Sequence, residues 1–525
     1  MPQYLSPGVY VEEVHSGPRP IEGVGTSVAA FVGFAEKGPF HTPSLVTTWS
    51  QYVQLFGGFV EGSYLAHSVY GYFANGGGIA YVVRVGAEVA AEGGAGRPGL
   101  TKGGRVAPKE LATGEPVALG SFRVAARAGI EGEITVEVTD ADGEAPAEDR
   151  FKLVVAQAGR PVETFDVSAK KSARNYVVTQ VRERSALILV EEAATASGAL
   201  TRPQKQTLTL AVPAGPAEVV PAGISVAEYV GDAEARTGFA GLEAIDEITM
   251  LAVPDLMAAH QQGQIDAEGV KAVQLAMITH CELMGDRVAV LDPLPDLTPR
   301  QVREWRQEGA GYDSKYAALY YPWIKVFDPA SGQNRFVPPS GHMLGVWARS
   351  DTERGVHKAP ANEVVRGAID LQTNVTKGEQ DLLNPIGVNC IRAFPGRGIR
   401  VWGARTLASD PAWRYINVRR LFNYLEESIL LGTQWTVFEP NDELLWIGIR
   451  RDISAFLLEE WRRGALFGAT AAQAFYVKCD AETNPPESVD LGQVVCEIGI
   501  CPVKPAEFVV FRLAQFSDST SLVNE

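Results

Sequence analysis

Cysteine and histidine are scarce in this chain, which limits the chemistry it can perform. The 525 residues include five cysteines and seven histidines. An odd number of cysteines in a long chain argues against a disulfide framework and predicts a reducing compartment. Four residues separate Cys496 from Cys501, as in some zinc half-sites, but no second close cysteine pair and no nearby histidine completes a site. We therefore expect no bound metal and small apolar core cysteines. The five are Cys281, Cys390, Cys479, Cys496 and Cys501.

The sequence motifs of nucleotide-binding and hydrolytic sites are also missing. The dipeptide Gly-Lys does not occur, so there is no phosphate-binding P-loop, and neither a G-x-S-x-G turn nor an H-E-x-x-H motif is present. Gly94–Gly99 fits the letters of a dinucleotide fingerprint, but no strand leads into it and its Gly/Pro-rich continuation cannot open a helix, which favours a linker. We expect no cofactor and no enzymatic activity.

None of the histidines has a partner at metal-ligand spacing. The seven are His15, His41, His67, His260, His280, His342 and His357. His280 lies beside Cys281 on an apolar helical stripe, so we expect it in the core or at its boundary.

Long apolar runs are absent as well. No window reaches the roughly eighteen apolar residues of a membrane-spanning helix. The first residues, Met1–Val14, have neither the basic segment nor the apolar segment of a secretion signal. We expect no direct membrane insertion and no use of the general export route.

Positive charge is in deficit. The formal net charge is −16 and the isoelectric point is about 5.1. Such a surface repels nucleic-acid phosphates, and no Lys/Arg-rich run offsets it, which excludes a nucleic-acid partner. Hydrophobic residues make up 46% and charged residues 21%, a globular balance. The length predicts two to four domains.

Shifts in composition divide the chain into six predicted segments. Pro2, Pro7, Pro18 and Pro20 isolate one β-prone run near the start, and Gly/Ala/Pro-rich stretches flank a region of short alternating strands. The predicted segments are an N-terminal extended arm (1–20), a first part of the core (21–86), an inserted β domain (87–230), a second α/β part of the core (231–370), a C-terminal domain (371–505) and a C-terminal extended arm (506–525).

The middle of the chain alternates between strand and helix signals. Ile248–Val253 is a continuous apolar strand, a helix with an apolar stripe ends at Gly285, and Arg287–Leu291 is the next strand. Thr298–Gln301 then forms a capping box with proline at the first helical position. This order predicts a parallel, doubly wound α/β sheet.

Asp255 and Asp292 follow two of these strands. Ligand sites of open α/β sheets lie at the carboxyl ends of strands, which would give the pair a function. Asp beside proline is also an ordinary way to end a strand. Because neither has a Gly-rich loop or a basic residue beside it, the structural interpretation is favoured.

The C-terminal part carries helical stripes, a hairpin and a β-prone tail. Val418–Ile429 and Ile453–Trp461 show helical apolar periodicity. Ala474–Lys478 and Val494–Ile500 are predicted to pair as a hairpin. Glu507–Leu513 is β-prone and follows Pro505, so it is separate from the main elements.

Several of these segments resemble the contractile tail sheath proteins of phages, pyocins and extracellular injection systems. The matching segments are Tyr4–Glu13, Ser27–Gly38, Phe56–Gly58, Gly76–Gly78, Tyr81–Val85, Asn384–Asn389, Gly398–Leu407, Tyr415–Arg420, Phe438–Asn441, Gly499-Ile500 and Pro502–Phe508. The resemblance covers 1–86 and 231–516 and leaves out 87–230, which suits the variable outward-facing insertion of that family.

The resemblance implies a fold and a mechanism. It implies a subtilisin-like central domain, an α+β C-terminal domain, an inserted antiparallel β domain and extended terminal strands. The His-Gly-Thr and Gly-Thr-Ser-Met-Ala signatures of subtilisin-type proteases are absent. A sheath subunit polymerises around an inner tube in an extended, metastable state and contracts to drive the tube through a target envelope.

The resemblance also implies partners and a location. The expected partners are further copies in stacked rings, the inner tube protein, and baseplate and terminal cap proteins. Assembly is expected in the bacterial cytoplasm, in a particle released by lysis. A phage tail, a pyocin-like particle and an extracellular injection system all remain compatible with the sequence.

We predict that both termini donate strands to neighbouring subunits. The predicted donors are Val9, Tyr10, Val11, Phe508, Val509, Val510, Phe511 and Leu513, and the predicted acceptors are Phe475, Val477, Val495 and Ile498. Glu459, Glu460, Arg462 and Arg463 crowd one helix and form a candidate contact with the inner tube. Two competing hypotheses are a hydrolase on the α/β core and an adhesin-like surface protein that uses residues 87–230.

Overall fold

The structure is a computed structural model that divides the chain into two compact units. The first comprises Met1–Glu88 and Val219–Glu525, and the second comprises Val89–Glu218. The structure describes residues 20–86, 117–126, 134–141, 149–157, 160–171, 173, 175–185, 187–192, 200–210, 224–329 and 331–512.

Within these ranges the chain forms twenty strands and thirteen α-helices. The strands are β1 Val28–Gly33, β2 Ser44–Val46, β3 Ile79–Arg84, β4 Val117–Leu119, β5 Phe122–Ala126, β6 Ile134–Asp140, β7 Arg150–Gln157, β8 Arg160–Ser168, β9 Ile188–Glu192, β10 Thr207–Leu210, β11 Met250–Ala252, β12 Val288–Leu291, β13 Ala317–Tyr321, β14 Ile324–Asp328, β15 Gln333–Val337, β16 Asp370–Leu371, β17 Val388–Phe394, β18 Gly398–Val401, β19 Phe475–Lys478 and β20 Glu497–Ile500. The helices are α1 Trp49–Phe56, α2 Leu65–Ala74, α3 Val177–Arg184, α4 Val226–Val230, α5 Asp255–Gln261, α6 Ala267–Met284, α7 Pro299–Glu304, α8 Ser340–Arg354, α9 Lys377–Leu383, α10 Ile416–Thr433, α11 Glu443–Arg462, α12 Ala471–Ala474 and α13 Pro486–Asp490.

An eight-stranded sheet organises the first unit. Its order is β18-β17-β13-β12-β11-β1-β3-β2. The six strands from β3 to β17 are parallel, and β2 and β18 pair antiparallel at the edges. Strands β1, β11, β12 and β13 are buried along their whole length, which explains their continuous apolar sequences. The α/β sheet predicted from the sequence is therefore present.

Local capping signals set the helix ends around this sheet. The Asp266 side chain accepts from Gly269 N at the start of α6, and Gly285 ends that helix in the left-handed region at φ 74°. At α7 the predicted capping box forms between Thr298 and Gln301. These signals are local, and Gly285, Thr298 and Gln301 were predicted from the sequence.

A buried ion pair joins the sheet unit to its C-terminal helices. The Arg420 guanidinium on α10 donates to both carboxylate oxygens of Asp351 on α8, at 2.9 and 2.5 Å, and to the Thr26 carbonyl at 2.8 Å. Both charged side chains are 4% exposed. Removing either partner would leave an uncompensated buried charge, so this pair fixes α10 on α8.

The second unit has its own core. Strands β10-β6-β7-β8 form one antiparallel sheet and β4-β5-β9 another. Both contribute side chains, together with α3, to one apolar cluster that includes Phe122, Val136, Leu153 and Val181.

Two sequence expectations need correction. The insertion was placed up to residue 230, but Ile224 and Tyr229 belong to the core of the first unit, so the insertion ends before residue 224. The five residues of α4 were too few to give a periodic signal. The cysteines were expected in the core, yet Cys501 is exposed and Cys496 is only half-buried.

None of the helices in the described ranges combines the length and apolarity needed to cross a bilayer. Those same ranges bring together no group of three or more His, Cys, Asp or Glu side chains that could hold a metal ion.

Candidate strand-exchange surface

The hairpin of β19 and β20 lies at the C-terminal end of the first unit. Phe475 pairs with Ile500 and Lys478 pairs with Glu497 in an antiparallel register. Residues of both strands join the apolar cluster formed by α10 and α11, which holds one face of the hairpin on these helices. The predicted hairpin is confirmed, with a second strand that starts at Glu497 rather than at residue 494.

The register determines which backbone groups of the hairpin point outward. Cys501 N donates to Ala474 O at 2.8 Å. Along an antiparallel ladder, hydrogen-bonded pairs of residues alternate with non-hydrogen-bonded pairs. Counted from Ala474 and Cys501, the pair of Val477 and Ile498 is non-hydrogen-bonded. The N–H and C=O groups of Val477 therefore point along the outer edge of β19, and those of Ile498 along the outer edge of β20. Such edges are what strand addition requires.

The other two predicted acceptors differ from this pair. Phe475 offers only its carbonyl to the β19 edge, because its N–H donates to Ala471 O at the end of α12. Val495 lies before β20, and its N–H and C=O are both bonded to the Asn484 side chain, at 2.6 and 3.0 Å. Val495 is therefore a poor backbone acceptor, because a neighbouring amide already fills that role.

The hairpin and the loop beside it expose large apolar side chains. Tyr476 is 59% exposed and Ile498 is 37% exposed, while Leu491 reaches 74% in the connecting loop. An apolar surface next to free strand edges is typical of an interaction site.

The chain after the hairpin is held in place until Glu507. Its carboxylate accepts from Arg405 Nε at 2.9 Å and from Arg405 Nη2 at 2.6 Å, a bidentate pair. Asn384 and Tyr415 donate to it at 2.6 and 3.0 Å. Burial opposes ionisation of Glu507, but the hydrogen bonds from Arg405 and Asn384 outweigh it and lower the carboxyl pKa. We call this cluster the tail anchor: Glu507, Arg405, Asn384 and Tyr415.

Beyond the anchor the tail is exposed. Phe508, Val509, Val510 and Phe511 are 73%, 69%, 77% and 84% exposed. No strand is assigned to residues 503–512 in this single chain. Four consecutive exposed apolar residues cost free energy in water, about 25 cal/mol per Å² that a partner could bury. The predicted donor Leu513 lies outside the described residues.

The N-terminal donors Val9, Tyr10 and Val11 also lie outside the described residues, and only the chain that follows them is seen. Ile21 is 8% exposed and packs in the cluster of α10 and α11, and Val24 N donates to Ser428 Oγ at 3.1 Å. The chain leading from the N-terminal arm is thus fixed on α10.

The candidate tube contact on α11 divides into exposed and buried members. Glu459, Arg462 and Arg463 are exposed, with ion-pair distances of 3.6 and 3.9 Å from Glu459. Glu460 is 4% exposed, accepts from Tyr424 Oη at 3.1 Å and from Arg463 Nη1 at 2.9 Å, and burial raises its pKa. Glu460 therefore does not belong to the exposed charged face, because its position on the helix points it toward α10.

Asp255 lies at the point where the strand order reverses between β1 and β11, the usual ligand crevice of such sheets. It is 0% exposed, and its carboxylate accepts from Phe34 N at 2.6 Å, from Ser63 Oγ at 2.9 Å and from Tyr64 N. A Cβ on Gly33 would lie 2.5 Å from its Oδ2. The carboxylate fills the crevice and ties three chain segments together.

Asp292 makes a similar structural contact. Its carboxylate accepts from Ser340 N at 2.9 Å and from Ser340 Oγ at 2.6 Å, at the start of α8. A serine hydroxyl that donates directly to a carboxylate has no histidine base between them, so this pair lacks the arrangement of a hydrolase nucleophile. His342 is also buried, with its pKa lowered by desolvation to about 3, and so stays neutral.

The core and C-terminal regions match known family models. Residues 227–407 match the phage tail sheath protein central domain, and residues 408–516 match the phage tail sheath C-terminal domain. The two matches together cover more than half of the chain. The chain belongs to the phage tail sheath family.

Individual sheath relatives are distant in sequence. A prophage major tail sheath protein of Pseudomonas aeruginosa is 26% identical over 308 residues, which cover 57% of this chain and 76% of that protein. The tail sheath protein of Vibrio phage KVP40 is 29% identical over 206 residues, which cover 38% of this chain and 30% of that protein. The chain thus spans less than a third of the Vibrio phage relative.

Solved sheath structures share the fold over nearly the whole chain. The helical sheath of the anti-feeding prophage in its contracted state aligns with a TM-score of 0.59 at 24% identity, over 97% of this chain and 99% of that one. The contracted sheath complex of the extracellular contractile injection system PVC aligns with a TM-score of 0.56 at 23% identity, over 98% and 99%. The mixed α/β fold is therefore that of a sheath protein.

The tail anchor was not found from the sequence. Arg405 and Glu507 are about a hundred residues apart, and no periodic or local motif connects them. Pro505 indicated that the tail is separate from the main elements, but nothing in the sequence indicated the contact between Glu507 and Arg405.

Proposed function

We propose that this sheath protein is a structural subunit that polymerises around an inner tube in an extended, metastable state and contracts to drive the tube through a target envelope. Neighbouring subunits are linked by strands donated from both termini. One observation carries this proposal: an exposed apolar tail, Phe508–Phe511, leaves a fixed anchor on a molecule that also presents free hairpin edges.

The tail and the hairpin are complementary in their exposed apolar surface and in their backbone hydrogen-bonding groups. The tail exposes apolar side chains and unpaired backbone, and the hairpin exposes Tyr476, Ile498 and outward-pointing backbone groups. Pairing the two would satisfy the backbone groups and bury apolar surface in the same step. Each added hydrogen bond contributes about 0.5–1.5 kcal/mol. A single donated strand is weak, but many in one polymer act together.

The anchor suits a linkage that must persist while subunits move. The bidentate pair between Glu507 and Arg405 fixes the chain up to residue 507. Rotation of one subunit against the next can then be absorbed by the few residues beyond the anchor, while the ladder of the donated strand stays intact.

The partners follow from the same assembly. Similar proteins are described as a helical sheath and as part of a baseplate. We infer that this chain binds further copies of itself in stacked rings, an inner tube protein, and baseplate and terminal cap proteins. We infer that it has no enzymatic activity and binds no nucleic acid. It assembles in the bacterial cytoplasm and belongs to a phage tail or a phage-tail-like particle released by lysis.

The exposed charges Glu459, Arg462 and Arg463 are the proposed contact with the inner tube. Exposed ion pairs contribute only about 0–1 kcal/mol each, which suits a contact that releases during contraction. Reversing both arginine charges should weaken sheath–tube assembly, and unchanged assembly would indicate a merely solvated helix face.

Replacing Val510 tests the donated tail. Val510→Pro removes a backbone donor and should prevent tube formation, while Val510→Thr keeps the donor and the β-branched shape and should allow it. Both proteins should show the circular dichroism of the parent, because the core does not include residue 510. The assay is electron microscopy of tubes. Normal tubes from the proline variant would exclude tail donation as the link.

A further inference from the structure

Two cysteines face each other at the base of the acceptor hairpin. Lys478 and Glu497 form the last pair of the ladder. The next residues on the two strands are Cys479 and Cys496, and both side chains pack in the apolar cluster of α10 and α11. Neither is in a disulfide in this structure.

The register places this pair at a position suited to a cross-strand disulfide. Hydrogen-bonded and non-hydrogen-bonded pairs alternate along the ladder, and Val477 opposite Ile498 is a non-hydrogen-bonded pair. Continued one pair beyond Lys478 and Glu497, the same register sets Cys479 opposite Cys496 at the next non-hydrogen-bonded position. Residues at such positions have Cα atoms about 4.5 Å apart, which is inside the range of roughly 4.4–6.8 Å that a disulfide spans.

The surroundings already hold the two strands close at this point. Cys479 is 1% exposed and Asn484 Nδ2 lies 3.8 Å from its Sγ. The same Asn484 side chain binds both backbone groups of Val495, the residue before Cys496. A bond between the sulfurs therefore needs no large movement of the backbone.

We propose that Cys479 and Cys496 form a reversible disulfide when the particle passes from a reducing to an oxidising environment, and that this bond locks the register of the acceptor hairpin. The inference deepens the proposed function and rests on it for its biological meaning. In the reducing cytoplasm the hairpin would be assembled as the dithiol. Outside, the disulfide would hold β19 and β20 together under the load of the donated strands.

The oxidant in this step is a low-molecular-weight disulfide of the glutathione class. One cysteine, as thiolate, attacks the small disulfide, forms a mixed disulfide and releases one small thiol. The second cysteine then attacks the mixed disulfide and releases the second small thiol. Two protein thiols are oxidised, one small disulfide is reduced to two thiols, and the two protons go to the released thiols.

The reaction should be slow. Burial raises the pKa of the Cys496 thiol to about 12 and also raises that of Cys479, so little thiolate is present at neutral pH. Exposed Cys501 will react earlier with the same reagent. A Cys501→Ser protein removes that competing mixed disulfide and is the appropriate background.

The test uses full-length unassembled protein incubated with oxidised glutathione, then alkylated and mapped by mass spectrometry without reduction. The expected result is a peptide that joins Cys479 to Cys496, both in the parent and in Cys501→Ser. The cross-linked peptide should disappear after reduction and be absent from Cys496→Ser. Alkylation of both thiols after prolonged oxidation of the folded protein, or a bond from either to Cys501, would overturn the inference.

Tube formation is scored separately, on a second portion of the same protein placed under assembly conditions. A disulfide without tubes would leave the redox inference intact and count against the sheath proposal. Tubes without the disulfide would leave the sheath proposal intact and count against the redox inference.

Discussion

At the scale of single residues, the two buried aspartates have different hydrogen-bonding requirements. Asp255 accepts from two backbone N–H groups, on Phe34 and Tyr64, and these point at different oxygens. Among the residues that the structure describes, Ser340 alone donates to the Asp292 carboxylate, and its hydroxyl can turn and accept as well as donate. An amide can replace the second carboxylate but not the first.

The corresponding prediction compares two matched variants. Asp255→Asn must turn an NH₂ group toward a buried backbone N–H, which leaves that donor unpaired, so it should lower the free energy of unfolding by about 1–3 kcal/mol. Asp292→Asn keeps every partner and should change it by less than about 1 kcal/mol at pH 7. Urea unfolding followed by circular dichroism measures both. Equal losses in the two variants would contradict this assignment of roles.

Asp292 also predicts a pH dependence. Burial raises its pKa from 3.8 to about 7. Between these values the folded protein binds more protons than the unfolded chain, so this group makes stability rise as pH falls from 7 toward 4. The free energy of unfolding of the parent should gain more than that of Asp292→Asn between pH 7 and pH 5. An equal or larger gain in the variant would show that Asp292 is ionised when buried.

The sequence identified residues whose role is local and missed those whose partners are distant. Thr298 and Gln301 were predicted because the capping box lies within four consecutive residues. Asp255 was correctly placed at a strand end, but its three donors come from residues 34–64 and could not be foreseen. The contact of Glu507 with Arg405 depends on the complete fold in the same way.

At the scale of elements, strands and helices with a regular spacing of apolar residues were predicted from the sequence. Segments in which buried polar residues interrupt that spacing were not. The helix predicted to end at Gly285 is present as α6, Ala267–Met284. Helix α8 was not predicted, because residues 340–350 are all buried and polar side chains such as Ser340 and Arg349 interrupt any apolar stripe. When polar side chains are buried and hydrogen-bonded to distant residues, the helix that carries them shows no apolar periodicity in its sequence.

The tail anchor gives a prediction at this scale. Glu507→Gln removes the charge that Arg405 binds, which should weaken local attachment of the tail by about 1–3 kcal/mol. Hydrogen exchange of the Val503 amide, which donates to Ala465 O at 3.2 Å, should become about ten- to a hundred-fold faster, while exchange in the α10 core stays unchanged. Glu497→Gln on the exposed face of the hairpin is the control. Unchanged exchange of the Val503 amide would mean that other contacts hold the tail.

At the scale of the whole molecule, the second unit interrupts the first between β3 and α4. His41 contacts the chain on both sides of the interruption: its Nδ1 accepts from Gly238 N at 3.3 Å and its Nε2 lies 3.1 Å from Gly86 O. Because Nδ1 accepts from a backbone N–H, Nε2 carries the proton and donates to Gly86. This contact fixes the start of the interruption without using any residue of the insertion.

Removing the insertion should therefore leave a folded core. A variant in which a short Gly/Ser linker replaces residues 89–218 should keep the cooperative unfolding of the first unit, because the core residues of the two units form separate clusters. Tube formation should also persist if the insertion faces outward, as the resemblance to sheath proteins implies. A variant that does not fold, or folded protein that forms no tubes, would contradict the corresponding half of this prediction.

In the proposed sheath, the tail beyond Glu507 pairs with the hairpin of another subunit. Electron cryomicroscopy of assembled tubes can test this pairing by tracing residues 507–512 from the anchor. We expect this segment to lie as an added strand along β19 or β20 of a neighbouring copy, with Val477 or Ile498 in the ladder. A tail that folds back on its own hairpin, or that stays unpaired in the assembled sheath, would contradict it.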